Sequence, residues 1–151
     1  MAYHLVPTTV EDRPWLDELR RAAYLDLFVA TWGGWDEERH TRHFNACLER
    51  GAISAIELDG IRVGMIQLSE QADAVEICEI QIHPSHQSRG IGTRLIQDTM
   101  AQTHAERKKV RLSAGLQNLR AVKLYRRLGF VEVAQTETHY HMESEPSLGA
   151  P

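Results

Sequence analysis

Cysteine is scarce in this 151-residue sequence, with Cys47 and Cys78 the only two. Two thiols so far apart make no disulfide framework, and a reducing, cytoplasmic setting is the plain expectation. No apolar run approaches the roughly 20 residues of a membrane span. The opening "MAYHLVPTTVEDRP" has no signal-peptide anatomy, so neither membrane nor secretion is expected. Positive charge is not in excess: 17 Lys and Arg stand against 21 Asp and Glu, a net charge of −4. A nucleic-acid partner is therefore not expected. Eight histidines are present, but "HTRH" (His40 to His43) and "HYH" (His139 to His141) lack a third ligand at a recognisable spacing. They read as surface side chains, and no metal is expected. Repeats and Gly/Pro/Ser-rich linkers are missing as well. What remains, 42% hydrophobic and 25% charged, fits one globular domain over residues 1–143 with a frayed tail over 144–151.

The elements follow from periodicity and punctuation. Residues 3–8 alternate like a strand. Thr9 or Asp12 can cap a helix that carries Pro14 in its first turn, where a missing N–H costs little. Leu16, Leu19, Ala23 and Leu27 give that helix a buried stripe. "TWGGWD" (Thr31 to Asp36) ends it, and residues 36–50 form a second, more polar helix. Strands are expected at 52–58, 62–69 and 74–82, the first two joined by the hairpin dipeptide Asp59-Gly60. A helix over 90–107 and a strand over 109–114 come next. The helix of residues 118–130 starts at Asn118 and closes at Gly129. Strands near 132–138 and 138–143 complete the order β-α-α-β-β-β-α-β-α-β-β. The fold class is α/β in the broad sense (α+β): a mixed sheet with helices on both faces.

One stretch demands a ligand. "IQIHPSHQSRGIGTRLI" (Ile80 to Ile96) leaves a strand, bends at Pro84 and meets two glycines at a helix mouth. From Gln87 to Thr93 the backbone N–H groups face no strand partner, and Gly90 and Gly92 leave room for close approach. The positive end of the next helix points the same way. A phosphate or pyrophosphate fits this loop. A short Gly-x-Gly is weak by itself and also suits an ordinary strand-to-helix connection. No Gly-Lys-Ser/Thr follows, which argues against a P-loop nucleotidase, and the glycines do not complete a dinucleotide fingerprint.

Two motifs together resemble a family. "Gln87-Ser88-Arg89-Gly90-Ile91-Gly92" is similar to the Gln/Arg-x-x-Gly-x-Gly/Ala signature of the GNAT superfamily of acetyl-coenzyme A-dependent N-acetyltransferases. "NLRAVKLYRRLGF" (Asn118 to Phe130) resembles that family's Asn-x-x-Ala-x-x-Leu-Tyr-x-x-x-Gly-Phe. The element order also matches, so the resemblance reaches to about Glu143 and implies a mostly antiparallel GNAT-like sheet. It implies that Gln87, Ser88, Arg89, Gly90, Ile91, Gly92 and Thr93 take the pyrophosphate of coenzyme A. Ile80 and Ile82 would line the pantetheine arm in a gap between the fourth and fifth strands. A backbone N–H near Ile82 would hold the thioester oxygen, and Asn118 would contact the coenzyme while capping its helix.

The resemblance also assigns the chemistry. Tyr125 would protonate the departing thiolate, although on spacing alone it is a half-buried helix tyrosine beside Leu124 and Leu128. A base must free the amine of its proton. Glu79 is the first choice, sharing a strand face with Gln81 and His83, and Glu76 is the second. They differ in parity unless a bulge intervenes, and a water chain could replace both. Trp32 and Trp35 either contact the acceptor or staple the first two helices. Cys78 reads as a small buried hydrophobe rather than a nucleophile. The expected partner is a small-molecule or peptide amine, and a homodimer is left open. A non-catalytic coenzyme A-binding module on the same fold and an unrelated phosphate-binding domain are the alternatives.

Overall fold

The computed structural model describes residues 2–147. Its elements follow the expected order: β1 (Tyr3–Pro7), α1 (Arg13–Trp32), α2 (Glu37–Arg50), β2 (Ile53–Leu58), β3 (Ile61–Glu70), β4 (Ala74–Ile82), α3 (Ile91–Ala105), β5 (Lys109–Gly115), α4 (Leu119–Leu128), β6 (Val131–Gln135) and β7 (His139–Ser144). The strands form one seven-stranded, mostly antiparallel sheet in the order β1-β2-β3-β4-β5-β7-β6. The chain divides into two compact units, residues 1–67 with 79–91, and residues 68–78 with 92–151.

In the first unit, β1 and β3 both pair antiparallel with β2. The β2–β3 turn is Asp59-Gly60, with φ of 52° and 78°, the two left-handed residues that a type I′ hairpin needs. Thr9 N–H donates to the Asp12 carboxylate at 2.7 Å, so both expected capping residues serve one short 3-10 turn (Val10–Asp12) ahead of α1. Helix α1 ends at Gly33, φ 80°, and Asp36 caps α2 by accepting from Arg39 N–H. Leu16, Leu19, Cys47, Ile53 and Met65 make a core cluster that Trp15, Phe44 and Leu48 pack against.

The tryptophans lie at the junction of α1 and α2. Trp35 stacks on Phe28 at 4.4 Å, and Trp32 meets the same ring edge-on at 4.9 Å with the Arg39 guanidinium over it. His40 departs from the surface reading: it is 1% exposed, because it falls on one helical stripe with Phe44 and Cys47. Its Nε2 bonds Asp17 at 2.7 Å. Burial opposes ionisation of Asp17, but hydrogen bonds from Arg21 and His40 outweigh it and hold that carboxyl below its ordinary range. Arg21 also grips Glu37 through both carboxylate oxygens. That contact, with the Trp35 indole N–H second, holds Glu37 down at about 2 against an ordinary 4.5.

A folded-state value below the unfolded one contributes stability above the unfolded value and loses it as pH falls. The melting temperature should therefore drop between pH 4.5 and about 2, and by less in Glu37→Gln. A thermal scan at four pH values checks this. Identical slopes in both proteins would show that the exposed pair contributes nothing to folding.

In the second unit, β5 pairs antiparallel with β7, and β7 with β6. Strand β4 joins β5 in parallel over Ala74–Lys109, Val75–Val110 and Glu76–Arg111. Val110, Leu112, Ala114 and Met142 are buried along β5 and β7. Strand β7 runs on to Ser144, which is 4% exposed, and its carbonyl meets His104 Nε2 at 3.1 Å. The ordered chain thus extends past residue 143, and residues 148–151 of the expected tail lie outside the described part. Every residue of β6 is exposed. Its register skips Val133 between Glu132–Met142 and Ala134–His141, and Glu132 pairs with Arg126.

Candidate active site

In the first unit lie the end of β4 and the turn after it. Ile80 and Ile82 are half-buried, and Gln81 is 5% exposed. Strand β3 passes very close here. A Cβ added to Gly64 would lie 2.2 Å from the Gln81 carbonyl oxygen and 3.1 Å from Ile82 Cα. The His83 N–H donates to Val63 O at 2.8 Å, which ties the strand end to β3. His83 then caps a 3-10 turn, Pro84–His86, by accepting from Ser85 N–H. Gln87 folds back, its side-chain amide donating to Ile82 O at 2.8 Å.

Gln87, Ser88, Arg89 and Gly90 are exposed, whereas Ile91 is 2% exposed and anchors the start of α3. Ser88 and Gly90 have φ of 63° and 80°. The space around the Gly90 Cβ position is open, so glycine is needed there for its backbone conformation rather than for room. The turn delivers the chain to a helix N-terminus, whose first N–H groups have no intrahelical acceptor. An exposed turn of this kind is suited to an anion.

Glu79 stands in a cluster that goes beyond the sequence expectation. Tyr24 Oη donates to its Oε2 at 3.3 Å and Gln81 Nε2 to the same oxygen at 3.1 Å. Arg20 Nη1 faces Oε1 at 3.5 Å. The shared face of Glu79 and Gln81 was expected; Arg20 and Tyr24 were not. Their signal is positional: Arg20 falls one turn after Leu16, on the stripe of α1 that should be apolar, and Tyr24 follows one turn later.

The second unit, taken by itself, holds Gly92 and Thr93 in the first turn of α3, and α4. Asn118 caps α4, its side-chain oxygen accepting from Ala121 N–H at 3.3 Å. Gly129, φ 106°, closes the helix. Tyr125 is 8% exposed, 5.9 Å from the Phe130 ring. It is more buried than the half-buried side chain that spacing suggested. Val122 and Tyr125, not Leu124 and Leu128, are the buried residues of α4. Glu76 receives Gln71 Nε2 at 3.4 Å. It lines a pocket of about 260 Å³ with Arg111, Ser113, His141 and Glu143. The two candidate glutamates thus lie in different compact units and different surroundings. Cys78 is half-buried and Cys47 buried, with Cys47 Sγ against the Gln67 side chain at 3.3 Å. No group of three or more His, Cys, Asp or Glu side chains among the described residues could hold a metal ion. No described helix is long and apolar enough to cross a membrane.

The acetyltransferase (GNAT) family model matches residues 16–130. The chain belongs to this family. The match spans most of this GNAT protein, from the first turn of α1 to Phe130, two residues past α4. A curated relative, an uncharacterized N-acetyltransferase of Methanocaldococcus jannaschii, is 28% identical over 125 residues. That alignment covers 72% of this chain and 55% of the relative, so the chain spans about half the length of the protein it matches. Among solved structures, the PaiA N-acetyltransferase of Thermoplasma acidophilum in complex with coenzyme A superimposes with a TM-score of 0.73. It is 18% identical, with 96% of this chain and 99% of that one covered. An acetyltransferase of Thermus thermophilus gives 0.74 at 18% identity, covering 96% and 97%. At such identities these structures speak for the fold alone.

Proposed function

We propose that this GNAT protein is an N-acetyltransferase that moves the acetyl group of acetyl-coenzyme A to a primary amine, by direct attack through a tetrahedral intermediate. The observation that carries the reading is the exposed turn of residues 87–90. It bears two left-handed residues and opens into α3, inside the stretch that the family model matches. The coenzyme A bound to the Thermoplasma structure supports the choice of ligand.

In this reading residues 87–93 receive the pyrophosphate on backbone N–H groups and the α3 dipole. Ile80 and Ile82 flank the pantetheine arm, and Asn118 adds a coenzyme contact. With the His83 amide already bonded to Val63 O, the donor for the thioester oxygen falls to Ile82. A fixed donor counts most when that oxygen becomes an oxyanion. Tyr125 gives a proton to the leaving thiolate. Glu79 takes the proton of the amine, with Glu76 the second candidate. The acceptor is a small-molecule or peptide amine in the cytoplasm. Trp32 and Trp35 have their ring contacts within the α1–α2 junction, which favours the staple over a substrate role.

Acetyl-coenzyme A at a hundred times its Kd adds about 2.7 kcal/mol to folding, roughly 5–10 °C in Tm for a chain of this size. ATP and NAD at equal concentration should leave Tm unchanged. Gly90→Val should remove most of the shift, because φ 80° suits glycine. No shift at saturation would sink the coenzyme assignment. A shift without thiol release across a panel of amines, amino acids and N-terminal peptides would instead favour the non-catalytic coenzyme-binding module.

A further inference from the structure

Helix α1 buries a cation where its apolar stripe should continue. Arg20 is 6% exposed, in line with Leu16 and Leu19 at 3% and 2%. Its Nε has no hydrogen-bond partner, and its ion pair with Glu79 is long at 3.5 Å. A buried guanidinium so incompletely satisfied is a poor stabilising device, and an apolar residue of similar volume would serve folding as well or better. The arrangement makes sense as control of the carboxylate it faces.

The two oxygens of Glu79 are treated differently. Oε2 accepts from Tyr24 and from Gln81, which fixes the plane of the carboxylate and fills that oxygen. Oε1 faces Arg20 at the far limit of a hydrogen bond, and so keeps capacity to accept. Arg20 is itself held over the Tyr24 ring, 4.7 Å from its centroid, so the two α1 side chains act as one clamp. Among the described residues, the charged and titratable groups that meet the Glu79 carboxylate are Arg20 and Tyr24 from α1, with the neutral Gln81 beside it on β4.

We propose that Arg20 and Tyr24 are positioning residues for acetyl transfer, holding Glu79 so that Oε1 is the atom that takes the proton of the acceptor ammonium. The inference rests on the N-acetyltransferase reading. In the step, one N–H bond of the ammonium breaks and its electron pair stays on nitrogen. The proton passes to Oε1, directly or through one water, and the freed amine attacks the thioester. The geometry suits amines that approach as compact cations, because Glu79 offers one open oxygen rather than a bidentate face.

The test is a set of double-variant cycles, read with acetyl-coenzyme A and the panel amine that gives the fastest thiol release. Tyr24→Phe removes one hydroxyl and should lower kcat about tenfold, with the KM for acetyl-coenzyme A unchanged. Arg20→Met should cost roughly a hundredfold, and Arg20→Lys should recover part of that loss. In the Glu79→Gln background neither change should lower kcat further, because the group they position is gone. Losses that multiply in the double variants, or a Tyr24→Phe enzyme with wild-type kcat, overturn the inference while the acetyltransferase reading stands. A wild-type protein that acetylates no amine overturns that reading and this inference with it. Tyr24→Phe keeps the test decisive if the Arg20 variants fold poorly.

Discussion

With Tyr125 as the proposed acid, replacing it by phenylalanine should lower kcat by about 10²–10⁴-fold and leave coenzyme affinity nearly unchanged, the range for loss of a positioned general acid. The substitution keeps the ring, and with it the packing near Phe130 that makes this side chain 8% exposed. The backbone carbonyl of Tyr125, which accepts from Gly129 and Phe130 at the end of α4, is untouched. The phenolic hydroxyl is what is removed. The thiolate must then leave unassisted or with water as the acid, and the barrier to collapse of the tetrahedral intermediate rises. Steady-state kinetics should show kcat and kcat/KM falling together, with the thermal shift from acetyl-coenzyme A preserved. Unchanged turnover would mean that the thiolate needs no tyrosine. Loss of the thermal shift would move Tyr125 from chemistry to binding.

Gly64→Ala, the smallest change available at that position, destabilises the protein strongly. The new Cβ would stand 2.2 Å from the Gln81 carbonyl oxygen and 3.1 Å from the Ile82 Cα. The obstacle is backbone rather than a flexible side chain, so β3 and β4 must separate. Overpacking of this kind costs about 1–3 kcal/mol or more, a fall in Tm of roughly 2–12 °C. Activity should fall by more than the loss of folded protein, since Ile82 carries the proposed oxyanion donor. Gly34→Ala is the control: nothing lies within 4 Å of its Cβ position, and its φ is not positive. A Gly64→Ala melting temperature equal to that of Gly34→Ala would show that the strands can spread at no cost.

Much of the fold was legible because local chemistry and tertiary context agree. Asp59-Gly60 announced its hairpin, Asn118 its helix, "TWGGWD" the break after α1 and Gly129 the end of α4. The exposed turn of residues 87–90 between β4 and α3 was legible from spacing and glycine placement. The acceptor side was less so. Arg20 reads as an ordinary surface charge until one sees that it lies on the stripe of Leu16 and that Glu79, far along the chain, faces it. Gly64 looks like any glycine inside a strand, since the need for it arises from the neighbouring strand rather than its own. His40 reads as a surface residue because its neighbours Arg39, Thr41 and Arg42 are polar, yet its period matches Phe44 and Cys47. For Arg20 and Gly64 the deciding partner is remote in sequence.

The irregular register of β6 has a consequence for behaviour in concentrated solution. Strands at the border of a sheet offer a template on which another chain can add, and this one shows Val131 and Val133 65% and 56% exposed. Yet Val133 is the residue skipped in the pairing with β7, so the border is kinked rather than flat. Glu132 sets a charge between the two valines and is held there by Arg126. An incoming strand would lose its hydrogen-bond phase at the kink and would have to strip water from an ion pair. Both are recognised defences against edge-to-edge aggregation. A protein with so apolar a border can thus stay dispersed, and smoothing the strand by deleting Val133 would remove the kink that protects it.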